Sequence, residues 1–228
     1  MHQLLSQAFE QTGIRVADDA WFRRLRETCD RHGTLLIFDE IPTGLGKTGK
    51  MFACQHDGVV PDLLVLGKGL GGGIVPIAAV IARPELDVGA AHAFGHYTHE
   101  KNPVTTRAAL TTIQIIEQEE LVENAARVGA AAMARLHEMK SKHPLIGDVR
   151  GLGFLLGIEL VTSRVSKAPA KEAAEAVMYR ALERGLSFKT TFGNVLTLTP
   201  PLTVTEAEMM QALDILDEAI AAVAAGKP

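Results

Sequence analysis

The sequence predicts an α/β chain in which part of a parallel sheet is followed by a smaller α+β region. Three observations carry that reading. The run Thr34 to Glu40 is apolar up to its two terminal carboxylates, too short for a helix, and without alternating polar positions. A second apolar run, Asp62 to Leu66, ends in Gly67-Lys68-Gly69-Leu70-Gly71-Gly72-Gly73. From Asn102 onward the pattern turns to helices interleaved with paired strands.

Taken in order, residues 1–17 show no convincing cap or period. Asp18 or Asp19 can cap a helix running to about His32, with Trp21, Phe22, Leu25 and Cys29 on one inward face. Gly33 ends it in a left-handed turn, and the strand to Asp39 follows at once. Ile41 to Lys50 is a glycine-punctuated loop. After the strand to Leu66 and its glycine loop, Pro76 to Ala82 is a further short strand, and 92–103 an irregular polar segment. Asn102 and Pro103 cap and open a helix through Ala108, Leu110, Ile113 and Ile116. A second helix covers about Glu120 to Lys142, and Leu145 to Val161 forms a pair of strands. Another helix spans about Ala170 to Arg184 and stops at Gly185. Short strands follow near Leu186 to Lys189 and Val195 to Thr199. Thr205 and Glu208 make a capping box for a last helix that turns Met209, Leu213, Leu216, Ile220 and Val223 inward. The expected organisation is a partial larger domain over 1–104, then a linking helix and a small carboxy-terminal domain over 105–228.

Composition excludes several classes. With 228 residues, 47% of them hydrophobic, the chain can bury a substantial core. A formal charge of −4 with no basic block argues against nucleic acid as a partner. Cys29 and Cys54 lack metal-ligand spacing, which points to a reducing, cytoplasmic setting and to no metal. No apolar run reaches membrane-spanning length, and the segment after Met1 does not have a signal peptide's pattern.

Two nucleotide signals fail on inspection. Gly44 to Lys50 fits G-x-x-x-x-G-K, but Met51 stands where a metal-binding hydroxyl is needed, and no helix pattern opens after it. Gly67 to Gly72 spells G-x-G-x-x-G without the acid that should follow. A lysine at a strand tip, close to an acid at a neighbouring strand tip, suits other chemistry. An amine freed from water can attack an aldehyde, and the aldehyde cofactor pyridoxal 5'-phosphate needs an acid beside its ring nitrogen. Lys68 and Asp39, 29 residues apart (68 − 39), are the candidate pair, with a surface lysine in a loop and a turn aspartate as the alternative. Ligands of open α/β sheets gather at such strand ends.

These residues resemble a known family. Asp39 to Gly49, Pro61-Asp62-Leu63 and Gly67 to Gly73 look like the signature of class III aminotransferases, pyridoxal-phosphate enzymes of fold type I. Met51 to Val59 is similar to 2,2-dialkylglycine decarboxylase and its aminotransferase relatives, and the likeness runs from about Trp21 to the last helix. The resemblance implies that 1–104 is part of the large cofactor-binding domain. It implies Lys68 as the Schiff-base lysine that also shuttles the substrate's α-proton, and Asp39 as the partner of the ring nitrogen. Thr98 matches a threonine that reaches the cofactor phosphate of the neighbouring subunit, which implies a homodimer. Glu40 reads as structural, His96 and His99 as solvated loop residues, and Trp21 as core.

Two positions depart from the family pattern. Pro42 replaces a glutamine that contacts the cofactor's phenolic oxygen, and Thr197 stands where amino-acid-specific members carry an arginine for the α-carboxylate. A threonine cannot make the two-pronged ion pair of a guanidinium. The substrate is therefore expected to be an amine, or to carry a phosphonate or phosphate held by Arg150 or Lys189. The expected activity is transfer of an amino group from an amine or amino acid to a keto acid. Two alternatives stand beside it: an ammonia-lyase or phospho-lyase on the same fold, and an inactive fragment serving as a dimerisation module. The family's amino-terminal part, with its phosphate cup and ring-stacking aromatic, is expected to be missing, and Met1 to Glu10 does not resemble the family. The chain thus reads as a carboxy-terminal half, expected to bind cofactor weakly or not at all by itself.

Overall fold

The computed structural model describes residues 13–17, 20–89, 91–92 and 98–226. Two compact units emerge. Among the described residues, the first includes those of 17–46 and 50–121, and the second 13–16, 47–49 and 122–226.

In the first unit, helix α1 (Trp21–Arg31) leads into strand β1 (Ile37–Asp39). Its start follows Ala20, which makes no side-chain cap; Asp18 and Asp19 lie outside the described residues. Gly33 does adopt the left-handed conformation expected at the helix end, with φ +60°. Phe22 and Cys29 are buried, and the Phe22 ring meets Phe38 of β1 edge-on at 5.3 Å between centroids. Trp21 is not the core residue the sequence suggested. It is 39% exposed and meets Phe22 edge-to-face at 4.9 Å between centroids, because the helix ridge that meets the sheet is centred one position further on.

Strand β1 pairs in parallel with β2 (Leu63–Leu66), which aligns Asp39 with Val65. The third strand, β3 (Ala79–Ala82), runs antiparallel to β2, so this sheet is parallel only at β1–β2. Twelve residues without a crossover α-helix separate β2 from β3, counting 67 to 78, and only a reversal of direction closes so short a link. Helix α2 (Pro103–Gln118) opens as expected: the Asn102 side chain accepts from the Val104 amide at 2.9 Å and Pro103 fills the first turn.

The second unit packs helices α3 (Leu121–Lys142, all but its first residue), α4 (Lys171–Glu183) and α5 (Glu206–Ala224) on a four-stranded antiparallel sheet. Its order is β4 (Ile146–Leu152), β5 (Leu155–Leu160), β7 (Val195–Leu198) and β6 (Lys189–Thr191). Val149, Ile158 and Leu196 occupy one register row and belong to the core with Val128, Leu136, Val177, Leu213 and Leu216. The neighbouring row on the opposite face is Arg150, Gly157, Thr197 and Lys189. Strand β6 begins later than the expected Leu186 to Lys189. Leu186 and Phe188 are apolar because they pack against the core from the connection, while pairing with β7 starts only at Lys189. The capping box at Thr205 and Glu208 forms as expected.

Candidate functional site

Because β1 and β2 are parallel and in register, Asp39 and Lys68 both sit where the chain leaves the same edge of the sheet. Asp39 is the last residue of β1, and Lys68 is the second residue after β2. Side chains alternate along a strand, so with Phe38 turned toward α1, Asp39 faces the other side. Asp39 is 8% exposed, and its Oδ1 accepts from the Ile41 amide at 3.0 Å. That bond fixes the carboxylate at the first turn after the strand.

Lys68 opens a 3₁₀ turn, Lys68–Gly71, after an extended Gly67. Its φ is +44°, a left-handed backbone that costs a side-chain-bearing residue of order 1 kcal/mol or more. The turn then closes on Gly72 at φ +69°, where an added Cβ would lie 3.1 Å from the Thr112 hydroxyl of α2. Lys68 is exposed among the described residues of its unit, so the desolvation expected of it is not provided there.

Two buried acids beside the pair serve the scaffold. Glu40, 2% exposed, accepts from the Ala53 and Cys54 amides at 2.7 and 2.8 Å and from the Thr43 hydroxyl at 3.2 Å, which agrees with a structural role. Burial and the nearby Glu40 carboxylate push the Cys54 thiol up to about 12, so it is no nucleophile. Asp62 went unassigned in the sequence. It accepts from the Leu36 amide at 2.6 Å and from Arg26 at 2.8 Å, and pairs with Arg83 at 2.9 Å. Burial raises its pKa, but the Leu36 amide and the two guanidiniums outweigh that and hold it below the usual carboxylate range. It ties the starts of β1 and β2 together, and the only sequence signal was an acid opening an apolar run.

The other expected residues are placed as follows. Thr98 is an exposed turn residue four positions before the α2 cap, His99 is exposed beside it, and His96 lies outside the described residues. Pro42 sits in the turn after Asp39. Arg150 is committed within its own unit: it donates to the Gly13 carbonyl at 2.8 and 3.0 Å and to Ile14 at 2.7 Å, and it meets Glu159 at 2.6 Å and Asp148 at 3.2 Å. Two carboxylates already answer its charge, which disfavours an added anion. Gly157, its cross-strand partner, leaves room for the strap; a Cβ there would lie 3.1 Å from the Ile14 Cβ. Lys189 is exposed at the start of β6 and directly opposite Thr197, which is buried and shares a 3.0 Å hydroxyl contact with Thr191. The loop fitting a phosphate-binding pattern does no such work. Lys47 donates to the Pro200 carbonyl at 2.6 Å, and among the described residues no α-helix follows before α2.

The donor set suits pyridoxal phosphate: a buried aspartate and a lysine amine leave one sheet edge from adjacent strands. Comparisons agree. Residues 10–220 match the model of the family described as aminotransferase class-III. An (R)-1-hydroxy-2-aminoethylphosphonate ammonia-lyase from Vibrio splendidus is 45% identical over 96% of this chain and 46% of its own length. A leucine/methionine racemase from Thermococcus litoralis is 44% identical over 94% of this chain and 48% of its own. Among solved structures, a PLP-bound amine transaminase from an uncultivated Pseudomonas species superposes with a TM-score of 0.86 and 33% identity, over 92% of this chain and 49% of that one. The chain thus spans about half the length of the curated relatives it matches. No described helix is long and apolar enough to cross a membrane. With the α/β architecture of fold type I and a family match over most of its length, this chain belongs to the class III aminotransferases, whose cofactor is pyridoxal 5'-phosphate.

Proposed function

We propose that this chain supplies the lysine and the acid of a pyridoxal-phosphate site that moves an amino group from an amine or amino acid to a keto acid. The observation that carries the reading is the parallel register of β1 and β2, which brings Asp39 and Lys68 to one sheet edge. When bound, the cofactor supplies an electron sink for the carbon next to the substrate nitrogen. Asp39 holds a proton at the ring nitrogen through its carboxylate. Lys68 would hold the cofactor through Nζ; once the substrate amine displaced it, the freed lysine amine would take a proton from the substrate carbon and return it one position away. The Thr98 hydroxyl donates to the cofactor phosphate of a neighbouring subunit in a homodimer, and its exposure on a turn suits reach to a second chain. Two free thiols suit a reducing cytoplasm.

A second reading, an ammonia-lyase, is favoured by Thr197 and by the Vibrio splendidus relative. Thr197, buried in the second unit, cannot make the two-pronged ion pair with an α-carboxylate that a guanidinium makes. Ammonia released from a hydroxy-aminoethylphosphonate with no keto acid present would select the lyase over the transferase.

The test common to both uses covalent capture, which does not require tight binding. The purified chain is incubated with pyridoxal phosphate, treated with borohydride and mapped by mass spectrometry. The expected result is a pyridoxyl label concentrated on Lys68 and lost from that peptide in Lys68→Ala. A label spread evenly over the surface lysines would refute the assignment.

A further inference from the structure

Strand β3 is an outer strand of the first unit's sheet, and among the described residues it pairs with β2 alone. Two backbone bonds show which of its groups face outward. Glu40 donates to the Val65 carbonyl at 2.9 Å, so Val65 presents its backbone to β1, while Leu64 and Leu66 present theirs to β3. Arg83 donates to the Asp62 carbonyl at 3.2 Å, in step with that alternation. Ile81 and Ala79, paired with Leu64 and Leu66, therefore bond inward. The N–H and C=O groups of Val80 and Ala82 point away from the sheet. The side chains are uncovered too: Val80, Ile81 and Ala82 are all exposed. Ile81 extends the row of Phe38 and Leu64 on the face that α1 packs, and with Phe52, Val59 and Leu64 it lines an apolar cavity of about 510 Å³. No charge or proline interrupts Ala79 to Ala82, although such residues usually protect an open edge.

We propose that β3 is an interface with a second copy of this chain, the two β3 strands pairing antiparallel about a two-fold axis at Ile81. The register follows from the outward groups. Centred on Ile81, the pairing sets Val80 opposite Ala82 of the copy and Ala82 opposite its Val80, so every outward amide and carbonyl of the two residues finds a partner. Ile81 then faces its own copy at a non-hydrogen-bonded position, where side chains approach most closely. The row Phe38, Leu64, Ile81 runs on into the same three residues of the copy as one apolar stripe. Neighbouring registers fail. Centring on Ala82 sets Val80 opposite Pro84, which has no N–H to donate, and centring on Val80 sets Ala82 opposite Ala78, beyond the strand. Charge agrees, because the favoured register puts Arg83 opposite Ala79 and sets no like charges face to face. A second copy is the fitting occupant because the edge completes its own pattern, as an isologous contact requires. So short a contact belongs with transient interfaces, which associate between micromolar and millimolar concentration. The proposal does not rest on the proposed function, and it uses none of the residues invoked there.

The test is site-resolved hydrogen exchange of the isotopically labelled 228-residue chain across micromolar to millimolar concentration. The Ala79 and Ile81 amides should be protected throughout, whereas those of Val80 and Ala82 should become protected only as concentration rises. Ile81→Lys removes the apolar contact and sets two ammoniums face to face. It should move that protection to at least about tenfold higher concentration. Continued protection of the inward amides shows that β3 still pairs with β2 in the variant. Mild oxidation of Ile81→Cys should yield a dimer linked through that position, mapped by mass spectrometry. Val80→Cys should not, because its two copies lie two residues apart along the strand, roughly 7 Å, beyond disulfide reach. A dimer formed through another face leaves these readouts unmoved. Fast exchange of Val80 and Ala82 at every concentration would overturn the proposal, as would cross-linking that is equal from positions 80 and 81. Protection at every concentration would give the edge to a segment of the same chain, and protection only on adding another polypeptide would give it to that partner; either result also overturns it.

Discussion

The two units differ in how they are held together. The second is built on one continuous core, in which Phe154, Leu136, Met139, Ile158, Leu213 and Leu216 are wholly buried between three helices and a four-stranded sheet. The first has strands of three, four and four residues, and its β3 leaves Val80 and Ile81 61% and 52% exposed. Polar fastenings do there what packing does in the second unit: Asp62 joins two strand starts and two arginines, and Glu40 gathers the 53–54 turn. The proposed cofactor residues belong to the unit with the smaller core. Stability within a chain is uneven, and segments that must admit ligands are drawn from its weaker part.

The largest effect tests the second unit. Phe154→Ala removes a wholly buried ring and should cost about 3–5 kcal/mol. Trp21, the only tryptophan, belongs to the first unit, so two probes separate the two regions. Urea unfolding followed by far-ultraviolet circular dichroism should shift strongly in this variant, while the Trp21 fluorescence transition moves little. If both moved together, the units would be one cooperative structure and the contrast would fail.

The next effect tests the first unit. Asp62→Asn leaves two guanidiniums facing a neutral amide and should cost about 3 kcal/mol, read by Trp21 fluorescence. The sign of the pH dependence follows from its lowered pKa. The stabilisation from Asp62 is complete above the unfolded value near 3.9 and is lost as pH falls through that value toward the lower folded one. Acid titration should therefore release the Trp21 signal below about pH 4 in the wild type. The variant should show a shallower dependence in that window. An unchanged acid transition would show that Asp62 does not hold the unit.

The smallest effect concerns one cap. Thr205 accepts from the Glu208 amide and Glu208 answers through the Thr205 amide, so Thr205→Ala should cost about 1 kcal/mol. It should appear in circular dichroism alone. A matching shift in Trp21 fluorescence would again blur the two regions.

What the sequence revealed follows the same division. Period and capping signals are local, so α2, α5 and their caps could be read directly from Asn102-Pro103 and from Thr205 with Glu208. Asp39 and Lys68 were legible because each ends an apolar run, and strand ends in α/β sheets collect ligands. What stayed hidden depends on partners distant in the chain. Nothing near Arg150 announces that its guanidinium holds residues 13 and 14, 137 and 136 positions away. The role of Asp62 needs Arg26 and Leu36, and the direction of β3 depends on how a glycine-rich link turns. Leu186 and Phe188 resembled a strand because core-facing connections use the same apolar residues as strands.

The central claim is that Asp39 and Lys68 address the two ends of one pyridine ring. It is tested most directly on chain labelled at Lys68 with pyridoxal phosphate carrying nitrogen-15 in the ring, reduced with borohydride, and titrated by nitrogen NMR. If the account is right, the ring nitrogen keeps its proton to higher pH in the wild type than in Asp39→Asn, by at least one pH unit, about 1.4 kcal/mol of interaction. Identical titration curves in the two proteins would contradict it.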